Sequence, residues 1–179
     1  SLEGYQSGPE RASQIAEALF EALQKSGINY VNPPASLEKT GQKIRTPDLV
    51  VDGKLGTCID LACTYASCLE QSGLHPYIFL ISGHAYAGFF SEERTFRMPV
   101  CSEGNLVQTF VDDGTLIPVE TVSLTDGKTF QDAVNEAKRK TSEAISGNKF
   151  AHLIDIRSAR LIGPIVPLPD RRRNEDGTV

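Results

Sequence analysis

Apolar and polar positions divide the chain into segments with distinct periodicities. Ile15, Leu19, Ala22 and Leu23 recur at helical spacing, and Gly27 supplies a stop. Ser7 reads as the cap of that helix, followed by Pro9 and by Glu10 as the capping-box partner. Residues 28–31 predict a short strand, cut off by Asn32-Pro33-Pro34. Residues 33–47 are polar and irregular, either the wall of a site or a surface connection. Asp48 to Val51 predicts one helical or extended turn. Then comes a nearly unbroken run of small and apolar residues over 58–72, with Gly73 as its stop, which predicts a buried central helix. Cys58, Ala62, Tyr65 and Leu69 line one stripe of it.

The second half reads mainly as strands. Tyr77-Ile78-Phe79-Leu80-Ile81 is a continuous apolar run, as in a strand covered on both faces, and residues 84–90 alternate. Residues 92–104 are charged and uneven. Residues 106–111 and 116–121 predict two strands joined by an Asp112-Asp113-Gly114 hairpin turn. Thr129 caps a helix with Asp132 three residues on. Its apolar stripe is Phe130, Ala133, Val134 and Ala137, and Lys138-Arg139-Lys140 form a solvated face. Residues 150–156 predict a last strand, and Pro164, Pro167 and Pro169 a stiff extended exit. The pattern predicts an α+β fold: a cysteine-bearing central helix packed against a mainly antiparallel sheet, with flanking helices. One domain is expected over residues 1–170, and a mobile tail or linker to a following domain over 171–179.

Composition narrows the function classes. At 179 residues the chain suits one well-cored domain, and 40% hydrophobic with 23% charged content is ordinary for a globular protein. The net charge of -5 lacks the basic footprint of a nucleic-acid binder. Only Arg171-Arg172-Arg173 points that way, and charged tails are usually just solvated. No apolar run reaches bilayer length, and the N-terminus lacks the pattern of a secretion signal, as expected of a piece cut from a longer chain. Cys58, Cys63 and Cys68 step by about 140° around one helix, so they do not converge on a metal. With no C-x-x-C pair either, a reducing, cytoplasmic setting is expected, without a metal or cofactor.

The candidate chemistry gathers on three residues. Cys58 follows the glycine-rich turn Gly53-Lys54-Leu55-Gly56 and opens the central helix, whose positive end and free N–H groups stabilise a thiolate. Its plain alternative is a small buried hydrophobe. Cys63 and Cys68 read as core and Cys101 as incidental. His84, between Gly83 and Ala85, is the candidate base, ahead of His75 and His152. Glu120 is the candidate that orients the imidazole, preferred to Asp112 and Asp113, which suit a turn, and to Asp60, whose charge opposes a thiolate at Cys58. The Cys58 N–H is the natural first oxyanion donor, and Gln42, upstream of the nucleophile, is a second candidate.

Cysteine at a helix start, histidine on a following strand and an acid on a later one resemble the transglutaminase-like superfamily, related to papain-type cysteine proteases. Gly56-Thr57-Cys58 is similar to its G-x-C turn, and Gly73-Leu74-His75-Pro76 to the element that ends its helix. His84-Ala85-Tyr86 is similar to its histidine motif, and Val119-Glu120-Thr121 is a shifted echo of its acidic motif. These motifs cover residues 51–125. A wider likeness, from Gly4-Tyr5-Gln6-Ser7-Gly8 through Gly41-Gln42-Lys43-Ile44-Arg45 to Pro167-Leu168-Pro169, resembles the transglutaminase-like domain embedded in large bacterial helicase-related proteins. Two features depart from the family: glutamate stands for the usual aspartate, and the chain has no tryptophan. The resemblance implies a Cys58–His84–Glu120 triad acting in acyl transfer on an amide of a protein or peptide, as peptidase, amidase or transglutaminase, within a multidomain protein. The alternative is a catalytically silent binding or regulatory module of such a protein.

Overall fold

Local capping, turn chemistry and apolar spacing account for most of the elements in the computed structural model, which describes residues 4–32, 43–96 and 98–162. In chain order they are α1 (Pro9–Lys25), β1 (Asn29–Tyr30), α2 (Pro47–Gly53), β2 (Leu55–Gly56), α3 (Cys58–Gln71), β3 (Pro76–Ile81) and β4 (His84–Phe90). There follow β5 (Val100–Cys101), α4 (Gly104–Asp112), β6 (Leu116–Val119), α5 (Phe130–Ser146), β7 (Phe150–Asp155) and α6 (Ile156–Ile162). Single 3-10 turns occupy Tyr5–Ser7 and Thr121–Thr125. The fold is mixed α+β. Its five-stranded sheet has the order β5-β7-β3-β4-β6, with every neighbouring pair antiparallel. A separate parallel pair, β1 with β2, sets Tyr30 opposite Gly56.

The period of two along the strands sorts side chains onto two buried faces. Ile78, Ala87, Phe89 and Val119 join Ala16 and Phe20 of α1 and Leu61, Tyr65 and Leu69 of α3 in one core. Tyr77, Phe79, Tyr86, Phe90, Leu116 and Leu153 face the other way, onto Val107 and Val111 of α4 and Ala137 of α5. A sheet covered on both sides explains the unbroken apolar run of β3. Gly88 makes room for this packing: a Cβ there would stand 2.7 Å from the Phe79 ring and 2.8 Å from the Ile117 carbonyl oxygen. The β3–β4 hairpin closes through Ser82 and Gly83, and Gly83 takes a positive φ (73°) that glycine adopts without steric cost. The glycine before the histidine therefore sets where β4 begins.

Several expectations are corrected. Residues 106–111 lie in a helix, α4, not a strand. Leu106, Val107, Phe110 and Val111 fall at i, i+1, i+4 and i+5, which is helical spacing, and Val107 and Val111 are buried. Asp112-Asp113-Gly114 consequently ends a helix rather than closing a hairpin. Asp113 accepts from the Thr115 N–H at 2.9 Å and its hydroxyl at 2.6 Å. The cap of α1 is Gly8, at φ 88°, without a side-chain bond, because Ser7 is taken up in a 3-10 turn. Cys63 and Cys68 are only half-buried. No helix among the described residues is long and apolar enough to cross a membrane. The proline-rich exit and the 171–179 tail lie outside the described residues.

Candidate active site

Thr57 begins the site by beginning the helix. Its hydroxyl accepts from the Asp60 N–H at 3.4 Å, while the Asp60 carboxylate accepts from the Thr57 N–H at 3.0 Å, a reciprocal box that satisfies two otherwise orphaned donors. Gly56 lets β2 lie close, since a Cβ there would already press on Leu61 at 3.3 Å. Cys58 thus becomes the first residue of α3, where its N–H has no acceptor within the helix.

Asp60 does not act as an uncompensated charge beside the thiol. It is wholly buried, and Arg45 answers both of its oxygens, with its N–H on Oδ1 at 2.7 Å and its guanidinium on Oδ2 at 2.8 Å. Burial pushes the Asp60 carboxyl up, but the Thr57 and Arg45 donors outweigh it and hold it below the usual range. The expected opposition between Asp60 and a Cys58 thiolate is therefore met by a cation from the segment before α2.

His84 opens β4, which packs against α3, and its ring faces the Cys58 thiol. The other side of the ring is held by Glu120: His84 Nε2 lies 2.7 Å from Glu120 Oε2. With Nε2 so engaged, Nδ1 is the nitrogen left for the sulfur. Glu120 comes directly after β6, the strand hydrogen-bonded to β4, and caps the Thr121–Thr125 turn by accepting the Val122 N–H on Oε1 at 3.1 Å. Its own N–H donates to the Ala133 carbonyl of α5 at 3.1 Å. The carboxylate is 1% exposed, whereas the His84 ring keeps 20% of its surface open.

The electrostatics favour an ion pair. Burial raises the Cys58 thiol, but the His84 ring, the Ala85 N–H, the His84 charge and the Ile59 N–H together bring it below its ordinary value. Hydrogen bonds to Cys58 and to Glu120 raise His84 to about 9, against desolvation and the Lys140 charge. Burial works against ionised Glu120 as well, and His84 and Lys140 overcome it, so its carboxyl lies below the usual range. The other helix cysteines behave oppositely: burial lifts Cys63 to about 11 and also raises Cys68. The arrangement can hold a thiolate, an imidazolium and a carboxylate in line, as nucleophilic catalysis by cysteine requires.

Of the residues singled out in the sequence, Cys58, His84 and Glu120 come together. Gln42 lies outside the described residues. His75 is engaged elsewhere, with the Arg94 carbonyl at 3.2 Å and with Arg157, and His152 pairs with Ser102 at 2.9 Å. Among the described residues no group of three or more His, Cys, Asp and Glu side chains is placed to hold a metal ion.

Three neighbours were missed. Arg45 is the cation on the Asp60 carboxylate. Tyr30 stands opposite Gly56 on β1, and its phenol is raised by burial and then by the charges of Cys58 and Glu120. Lys140 was read as part of a solvated face, yet its Nζ lies 2.5 Å from Glu120 Oε2. A signal was available for it: position 140 is seven residues from Ala133 and three from Ala137, in phase with the buried stripe of α5. Comparison with protein-family models, with curated proteins and with solved structures gives no match to this chain.

Proposed function

We propose that this chain is a cysteine-dependent acyl-transfer enzyme of transglutaminase-like type, acting on an amide in a protein or peptide. The observation that carries the reading is the His84 ring bridging the Cys58 thiol and the buried Glu120 carboxylate. Chain order supports it too, with cysteine on a helix start, histidine on a strand and the acid after the neighbouring strand.

The reaction follows from the geometry. Cys58 Sγ attacks the carbonyl carbon, and the Cys58 N–H at the helix start is the donor available to the developing oxyanion. The C–N bond breaks as His84 passes its Nδ1 proton to the leaving amine, leaving an acyl thioester on Cys58. Neutral His84 then takes a proton from water or an amine as that nucleophile attacks the thioester. The C–S bond breaks, and the thiolate returns beside the imidazolium. Glu120 accepts from Nε2–H throughout, fixing the tautomer and stabilising the imidazolium. Water as acceptor gives hydrolysis, and an amine gives transamidation.

Incubation with p-nitrophenyl acetate tests the acyl-enzyme step. The expected result is a burst of nitrophenol and one acetyl group mapped by mass spectrometry to Cys58, with both lost in Cys58→Ser. Acetylation spread over Cys63, Cys68 and Cys101, or none, would sink the enzymatic reading and leave a non-catalytic binding module of the same fold.

A further inference from the structure

Lys140 is a cation where the sequence pattern calls for an apolar side chain. It occupies the buried stripe of α5 with Ala133, Val134, Ala137 and Ala144, and its side chain is 25% exposed. Its ammonium bonds the same Glu120 oxygen, Oε2, that accepts from His84 Nε2, at 2.5 Å against 2.7 Å. The other oxygen, Oε1, is taken by the Val122 N–H. Three donors from three segments therefore fix a carboxylate that has almost no contact with solvent.

We propose that Lys140 is the positioning residue of this site: it pins Glu120 for His84 and completes a charge-neutral quartet with Glu120 and the Cys58–His84 ion pair. The proposal rests on the acyl-transfer reading and deepens it. In the ion-pair state Cys58 and Glu120 are negative and His84 and Lys140 positive, so four closely packed groups sum to zero. Without Lys140 the same state carries a net negative charge in a poorly hydrated place, which opposes thiolate formation. Glu120 also needs a partner when His84 is neutral in the second half of the reaction, since an unpaired buried carboxylate is costly. Lys140 supplies that partner.

The quartet is connected to the surface. Lys140 lies 3.3 Å from Glu136 Oε1, one turn earlier on α5, and Glu136 Oε2 lies 2.7 Å from Lys128 Nζ. Charges thus alternate from Lys128 through Glu136, Lys140, Glu120 and His84 to Cys58. Among the described residues, the line is also faced by Tyr30 from β1, by Tyr86 from β4, whose hydroxyl is 2.7 Å from Thr141 Oγ1, and at its Cys58 end by Asp60 of α3 with its partner Arg45.

A residue that merely fills space would leave the titration of the site unchanged, and Lys140 is expected to set it. The rate of Cys58 modification by iodoacetamide, followed by mass spectrometry against pH in the full chain, reads this out. It should show a lower step for thiolate formation and an upper step where His84 loses its proton. Lys140→Met and Lys140→Gln should move both steps to higher pH by about half a unit or more, because the lost cation disfavours the thiolate and no longer opposes His84 protonation. On the rising limb this lowers the rate roughly threefold or more. Lys140→Arg should bring the steps back toward wild type. Glu136→Gln, on the exposed side of the line, should move them to lower pH, and it decides the matter if the Lys140 variants do not fold.

Folded Lys140→Met and Lys140→Gln proteins with the wild-type steps would overturn the proposal, as would no downward movement in Glu136→Gln. A wild-type chain whose Cys58 reacts no faster than Cys101 would instead overturn the acyl-transfer reading, and the role of Lys140 with it.

Discussion

Glu120→Ala is expected to lower the unfolding free energy by about 3–4 kcal/mol near pH 6. Breaking a buried ion pair from one side ordinarily costs roughly 3–5 kcal/mol, because the remaining charge is left uncompensated. Lys140 is 25% exposed and can turn toward Glu136, which places the cost at the lower end. Loss of the cap on the Thr121–Thr125 turn adds about 1 kcal/mol. In a domain of this size each kcal/mol shifts the melting temperature by roughly 2–4 °C, so thermal and urea unfolding will register the change. The pH dependence is specific. The Glu120 carboxyl is lowered in the folded state, so its contribution is present above its unfolded value and lost in acid. His84 is raised to about 9, so its contribution is full below its unfolded value of 6.5 and lost as pH rises through about 9. The difference between wild type and Glu120→Ala should therefore peak between these limits and shrink on both sides.

His84→Ala is expected to slow alkylation of Cys58 at pH 7 by about ten- to a hundredfold. The thiol loses its hydrogen bond to the ring and the imidazolium charge, while burial, which raises it, stays. Cys63 shows what burial on this helix does without such help: it is pushed up to about 11. The Ala85 and Ile59 N–H groups and the helix terminus remain, so the loss is not complete. The intrinsic nucleophilicity of a more basic thiolate also offsets part of the lost thiolate fraction. Rates at Cys63, Cys68 and Cys101 in the same sample should not change, which separates an effect on the site from a general loosening of the fold.

The difference between what was legible in the sequence and what was not is one of range. Cys58–Gln71, Pro76–Ile81 and His84–Phe90 were legible because local features mark them: the glycine-rich turn before Cys58 and the Gly73 stop, the unbroken apolar run and the alternation after Gly83. Cys58 and His84 could be singled out because each stands next to such a marker, and Glu120 because it is a carboxylate at the end of the apolar run 116–119, later in the chain than the histidine. Residues 106–111 were misread because β-branched and aromatic side chains were weighted above their i, i+4 spacing, and an Asp-Gly signal suits a helix end as well as a hairpin. The partners of Asp60 and Glu120 were out of reach for another reason. Arg45 and Lys140 lie 15 and 20 residues away from them, and charge in a sequence does not say which carboxylate it will meet. β7 was itself legible as a strand, whereas its pairing with β3, some seventy residues earlier, is likewise a long-range outcome of packing.

The central claim is that Cys58 and His84 form an ion pair before any substrate arrives. Alkylation of all four cysteines by iodoacetamide across the pH range, resolved peptide by peptide, tests it most directly. The predicted result is that Cys58 reacts fastest at and below pH 7, in a first step below the ordinary thiol range and a second near pH 9. Cys63, pushed up to about 11, should respond only in strong base, and Cys68 above the range of an ordinary thiol. A Cys58 rate no greater than that of Cys101, rising in a single step at or above the range of an ordinary thiol, would contradict the account.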